Sequence, residues 1–165
     1  FSNNNFDFRL IQNSQGQVWD LSLLDNQLIC GHNDGTFAIN GDQMQKISSI
    51  SGGWTIKKLN SNPNYLIQGT YTGLVIFKRD VNGNWIFSHK ISGFGEPSRY
   101  VEQDNKGDIW VSHAYKGLYK LSLSNDFKTA KSYDASRPIT FAEKVRPSLS
   151  LTRILPPDCA AELMT

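Results

Sequence analysis

The stretch Val101–Leu123, VEQDNKGDIWVSHAYKGLYKLSL, decides how the chain is read. It predicts three short strands joined by two tight turns. Tyr100–Gln103 is extended, and Asp104-Asn105-Lys106-Gly107 supplies the first turn. Ile109-Trp110-Val111 is a second strand of β-branched and aromatic residues. After His113-Ala114-Tyr115-Lys116, Gly117 opens a third strand that runs to Leu123. Glycine suits both turns because it reaches positive φ without a Cβ penalty.

Working outward, the same order of strands and turns occurs twice upstream. In the first unit Val18–Leu21, Leu28–Cys30, Thr36–Ile39 and Met44–Ile47 are the strands. Asp25-Asn26, His32–Gly35 and Asn40-Gly41 are their turns, the last a hairpin signal. In the second unit the strands are Trp54–Leu59, Tyr65–Gln68, Leu74–Lys78 and Trp85–Ile91, with Asn82-Gly83 as a further hairpin signal. Phe127–Tyr133 closes the third unit. Gly35, Gly73 and Gly117 are equivalent, and a period of about forty residues with four strands per unit predicts β-propeller blades. Leu74-Val75-Ile76-Phe77 has no polar alternation, as expected of a strand packed on both faces.

The expected fold is therefore all-β, with about three four-stranded antiparallel blades and an irregular C-terminal tail. Residues 17–52, 53–97 and 98–135 are the blades. Residues 1–16, in which Phe6, Phe8 and Leu10 alternate with polar residues, form an edge strand of a preceding blade. From 136 onward the repeat stops, and Pro138, Pro147, Pro156 and Pro157 accumulate, so 136–165 reads as a linker, a non-native end or an irregular continuation. Three blades do not close a ring of about 4–8. The expectation is a fragment of a larger propeller, or a ring completed by oligomerisation.

The 165 residues are enough for one domain with a sizeable core. A net charge of +2 without a polybasic run argues against nucleic acid as a partner. No apolar run reaches the roughly 18 residues that span a bilayer, so a membrane would be met only through segments absent here. Phe1 opens the chain without a signal-peptide pattern, as a mature protein or an excised piece would. Cys30 in an apolar strand reads as a buried free thiol, and with Cys159 as its only companion it identifies no compartment.

Glu102–Leu121 resembles the repeat of the two-component-regulator propeller family, through Asp104, Gly107, Ile109, Trp110, Val111, Gly117, Leu118 and Tyr119. The earlier units depart from that pattern, with Ile29 and Ile67 in place of the tryptophan and Asn62 in place of the aspartate. The resemblance implies a periplasmic, commonly dimeric sensor domain of a membrane-bound hybrid two-component histidine kinase. It also implies detection of oligosaccharides, with signal transduction through modules outside this chain.

The loops between second and third strands are expected to share one edge with the lead-in to each first strand. That edge would gather His32, Asn33, Asp34, Trp54, Tyr71, Thr72, Glu96, Arg99, Tyr100, His113, Tyr115 and Lys116. Aromatic bodies beside polar tips suit a sugar, and the alternative is that these are solvated loop residues. Trp19, Trp85 and Trp110 read as packing residues, and Asp25 and Asp104 as turn stabilisers. The loops at Asp80 and Asp104 lack the glutamate that a calcium loop needs at its twelfth position, having Ile91 and Tyr115 there. His32, His89 and His113 fall in different units without metal-ligand spacing, and no cofactor motif is present. The segment reads as non-enzymatic. The alternatives are a protein-interaction propeller, or a lyase or hydrolase using His113 with Glu96.

Overall fold

The computed structural model describes residues 9–133. The expected tail at 136–165, and the part of the edge strand with Phe6 and Phe8, lie outside them. Among the described residues there are strands and no helix, hence no helix long and apolar enough to cross a membrane. Twelve strands form three four-stranded antiparallel meanders. The first sheet holds β1 (Val18–Leu24), β2 (Gln27–His32), β3 (Gly35–Asn40) and β4 (Gln43–Ser48). The second holds β5 (Ile56–Leu59), β6 (Asn62–Thr70), β7 (Gly73–Arg79) and β8 (Trp85–Lys90). The third holds β9 (Tyr100–Gln103), β10 (Ile109–His113), β11 (Gly117–Leu123) and β12 (Ala130–Ser132).

Turn chemistry sets the register. Asp25 and Asn26 both adopt positive φ, as a two-residue turn matched to strand twist requires, and Leu24 pairs with Gln27 across them. The Asn82-Gly83 signal lies in a longer loop than a two-residue hairpin. Asp80 shapes that loop by accepting hydrogen bonds from the amides of Asn82 (2.9 Å) and Asn84 (2.8 Å). Asp104 does the same for Lys106 (2.9 Å) and Asp108 (3.0 Å), and its second oxygen accepts the indole N–H of Trp110 at 2.9 Å. Asp25 has a different task. It forms ion pairs with Lys58 and Arg79 of the second sheet, so it ties two sheets together.

The sheets stack side by side, with β5 against β9 and β4 against β8. Ile29 and Ala38 of the first sheet meet Ile56, Leu66, Val75, Phe77 and Trp85 of the second. Ile67, Leu74 and Ile76, on the other face of the second sheet, meet Val101, Ile109, Val111 and Leu121 of the third. The central strands of the middle sheet are thus buried on both faces, which is why Leu74–Phe77 carries no polar residue. Each fully buried aliphatic or aromatic side chain contributes roughly 1.5–3 kcal/mol. Between the sheets, Thr36 donates to Gln68 Oε1 at 2.6 Å, so these buried polar groups are paired.

Two glycines allow the backbone of each connecting segment to cross directly over the sheet before it. A Cβ on Gly31 would lie 2.2 Å from the carbonyl oxygen of Gly53, and one on Gly69 would lie 1.8 Å from that of Ser98. The equivalent position in the third sheet is Ser112, which pairs with Leu118 as Gly69 pairs with Leu74.

Residues 9–16 do not add a regular strand. Gln12 forms a single parallel bridge to Gln43, beside the outer strand of the first sheet. Ser92, in the segment between the second and third sheets, bridges Thr129 in the same way. In both places the next residue has positive φ, Asn13 in one and Gly93 in the other.

Candidate functional site

Hydrogen bonds bring the loops between second and third strands to the same edge as the connecting segments. Gly52 and Gly53 donate to the carbonyls of Asn33 (2.8 Å) and His32 (3.0 Å), and Ser98 donates to that of Thr70 (2.9 Å). Along this edge the residues singled out in the sequence form two groups.

The first lies where the first two sheets meet. The Tyr71 hydroxyl donates to Asn33 Oδ1 at 2.8 Å, and Asn33 Nδ2 donates to Asp34 at 3.2 Å. Trp54 packs edge-on against Tyr71, with ring centroids 4.7 Å apart. A Cβ on Gly52 would collide with the Tyr71 ring, so that glycine is what allows the tyrosine to lie down. Asp34 and Thr72 are exposed, and Lys90 reaches Thr72 Oγ1 at 3.0 Å. His32 is not open to a ligand. It is buried beneath Gly16 and edge-on to Phe37, and its Nδ1 accepts the Asp34 amide at 3.0 Å. With Nδ1 accepting, the proton sits on Nε2. Neither His32 Nε2 nor the Trp54 indole nitrogen has a partner among the described residues.

The second group belongs to the third sheet. Glu96, in the connecting segment, accepts both available bonds from Lys116 (2.8 and 2.9 Å) and lies 3.5 Å from His113 Nε2. His113 Nδ1 accepts the amides of Tyr115 (3.1 Å) and Lys116 (3.0 Å). The Lys116 bond holds the Glu96 carboxyl below the ordinary carboxylate range, and Glu96 raises Lys116 in return. Beside this cluster the Tyr115 ring is 95% exposed. Arg99 is exposed and lies over the ring of Tyr100, at 5.6 Å. Tyr100 itself opens β9 and shares the outward face of the third sheet with Ser112 and Leu118, apart from the loop residues.

His113 Nδ1 is occupied by two backbone donors, so Nε2 carries the proton and no lone pair is free for a substrate proton. Glu96, held ionised by Lys116, is a poor proton donor. Among the described residues no group of three or more His, Cys, Asp or Glu is placed to hold a metal ion.

The opposite edge holds a hollow of about 410 Å³ between the second and third sheets, lined by Asn62, Gln103, Gly107, Ser124 and Phe127 among others. Nothing in the sequence pointed to it, because each of these residues reads as part of a local turn. Much of its polar lining is already paired: Gln103 accepts the Asn60 amide and donates to the Gly107 carbonyl.

Comparison with family models, with curated proteins and with solved structures finds no match.

Proposed function

We propose that this chain is a segment of a ligand-sensing β-propeller that binds an oligosaccharide along the connecting-segment edge. The three stacked sheets are its blades. The observation that carries the reading is the pairing on that edge of exposed or half-buried rings, Tyr71 and Tyr115, with fixed polar groups, Asn33, Asp34, Glu96 and Lys116. A sugar ring stacks an apolar face on an aromatic while its hydroxyls meet such groups. The repeat resemblance supplies the biological setting: a periplasmic domain whose occupancy is relayed to a histidine kinase. Signalling requires the ligand to favour one arrangement of the sensor over another.

Calorimetry with a panel of glycan fragments tests the reading. Heat is expected with at least one fragment, weakened about tenfold or more by Tyr115→Ala or Arg99→Ala, which corresponds to roughly 1.4 kcal/mol. Binding that ignores both substitutions, or silence across the panel, removes this site. The hydrolase or lyase alternative has the occupied His113 lone pair against it, and it predicts glycan turnover lost in His113→Ala.

A further inference from the structure

In each sheet the second strand ends on a residue paired with the glycine that opens the third strand: His32 with Gly35, Thr70 with Gly73 and His113 with Gly117. The side chain of that residue accepts the amide two positions further on. His32 Nδ1 accepts from Asp34 at 3.0 Å, Thr70 Oγ1 from Thr72 at 3.2 Å and His113 Nδ1 from Tyr115 at 3.1 Å. The third loop, Ala114-Tyr115-Lys116, is one residue longer than Asn33-Asp34 and Tyr71-Thr72, and there the imidazole also accepts the Lys116 amide at 3.0 Å. One acceptor thus fixes the backbone of both Tyr115 and Lys116. Thr70 shows that a hydroxyl does the same work, donating its own hydrogen to the Gly73 carbonyl at 2.9 Å. A hydroxyl keeps its lone pairs at every ordinary pH, whereas an imidazole gives up its one on protonation.

We propose that His113 is a positioning residue for the oligosaccharide edge: through Nδ1 it holds Tyr115 and Lys116 in place, and it does so only while its ring is neutral. The inference deepens the ligand-binding reading and rests on it. Protonation turns Nδ1 from an acceptor into a donor that faces two donors. The loop and the proton therefore compete for one lone pair, and acid releases the loop. The role needs no contact with sugar: the His113 side chain is 9% exposed, beside a Tyr115 that stands open. The titratable or charged groups around the ring are Glu96 of the connecting segment, Tyr115 and Lys116 of its own loop, and Tyr119 of β11. Glu96 lies on the Nε2 side, 3.5 Å away, and does nothing to relieve the clash at Nδ1. The Lys116 bond holds the Glu96 carboxyl below its ordinary range and raises Lys116, so both stay charged across the range of about pH 5–8 in which imidazoles ordinarily titrate. A change of the loop in that range is not theirs.

NMR of the isotopically labelled full chain tests the positioning without a ligand, with His113 resolved from His32 and His89. At neutral pH the His113 ring is expected to carry its proton on Nε2. As the pH falls from about 8 to about 5, the Tyr115 and Lys116 amides are expected to shift in step with the ring and to lose protection from exchange. In His113→Thr the Tyr115 amide stays protected across that range, as Thr70 keeps that of Thr72, and in His113→Ala it is unprotected throughout. Calorimetry with the glycan fragments reads the consequence. Wild-type binding weakens about tenfold or more over the same pH range, and His113→Ala binds about that much more weakly at neutral pH, whereas binding by His113→Thr stays within about threefold. A ring proton on Nδ1 at neutral pH overturns the proposal, as do amides that ignore the titration of the ring. Equal loss of Tyr115 protection in His113→Thr and His113→Ala, or one pH profile of binding shared by wild type and His113→Thr, overturns it too. A silent glycan panel beside amides that follow the ring supports the hold of His113 on the loop and removes the ligand reading instead.

Discussion

Leu74 and Leu118 begin the same strand in two successive sheets, one residue after a positive-φ glycine, yet one is sealed in and the other stands open. Among the described residues the middle sheet has a neighbour on each side, and the third has one only on the side of Ile109 and Val111. Burial here belongs to the stack and not to the individual strand. A unit that looks complete in sequence is only half-covered in space until something sits on its second face.

Substitutions at paired positions test that contrast, the largest effects coming first. Phe77→Ala removes a ring enclosed in the seam between the first two sheets and is expected to cost about 3–5 kcal/mol, and Leu74→Ala about 2–5 kcal/mol. Leu118→Ala, measured by urea unfolding, is expected to stay within about 0.5 kcal/mol. Equal losses at Leu74 and Leu118 would show that the third sheet is covered after all. Next in size is Gly69→Ala, which sets a methyl against the Ser98 carbonyl and is expected to cost about 1–3 kcal/mol through overpacking. Ser112→Gly, at the matching position of the third sheet, should leave the unfolding midpoint close to that of the wild type. If Gly69→Ala proves harmless, the connecting segment does not lie on the strand as described.

The smallest effects concern the turns. Trp110's indole N–H, followed by the turn amides, holds the Asp104 carboxyl below its ordinary range, and the Asn84 amide does most for Asp80. A depressed carboxylate contributes stability that is fully present above its unfolded value and is lost as pH falls through the lowered one. Melting temperature should therefore decline on acidification through and below the ordinary carboxylate range. Asp104→Asn should flatten part of that decline and, unlike Asp80→Asn, also alter the Trp110 fluorescence. Lys116 has the opposite sign: its contribution is present below the ordinary lysine value and is lost as pH rises through the raised one.

The strands and turns were legible because each is specified locally, by β-branched runs and by Asp, Asn and Gly at the bends. What could not be read is whatever depends on a neighbour distant in sequence. Gly31 and Gly69 look like weak points in strands until another segment crosses them. His32 and His113 have the same local geometry, each with Nδ1 accepting loop amides, yet Gly16 covers the first and leaves only the second near a carboxylate. Asp25 and Asp104 both read as turn residues, but only Asp25 reaches across to another sheet. Of the three strand tryptophans expected to be packing residues, Trp85 is enclosed, whereas Trp19 and Trp110 keep part of their surface open. On the candidate edge, the sequence grouped the loop residues by position. It had no means of showing that Tyr100 turns onto the sheet face, or that Lys116 claims Glu96.

Cys30 lies with Phe37 and Met44 on the outer side of the first sheet, and Ile11 rests on that cluster. Burial, and after it the charge of Asp20, keeps the thiol protonated and unreactive. A sulfhydryl reagent gains access to it when the stretch around Ile11 lifts away. In a protein whose Cys159 has been replaced by serine, the labelling rate of Cys30 becomes a clock for that detachment, timing how often the first sheet loses its cover while the rest of the fold stays intact.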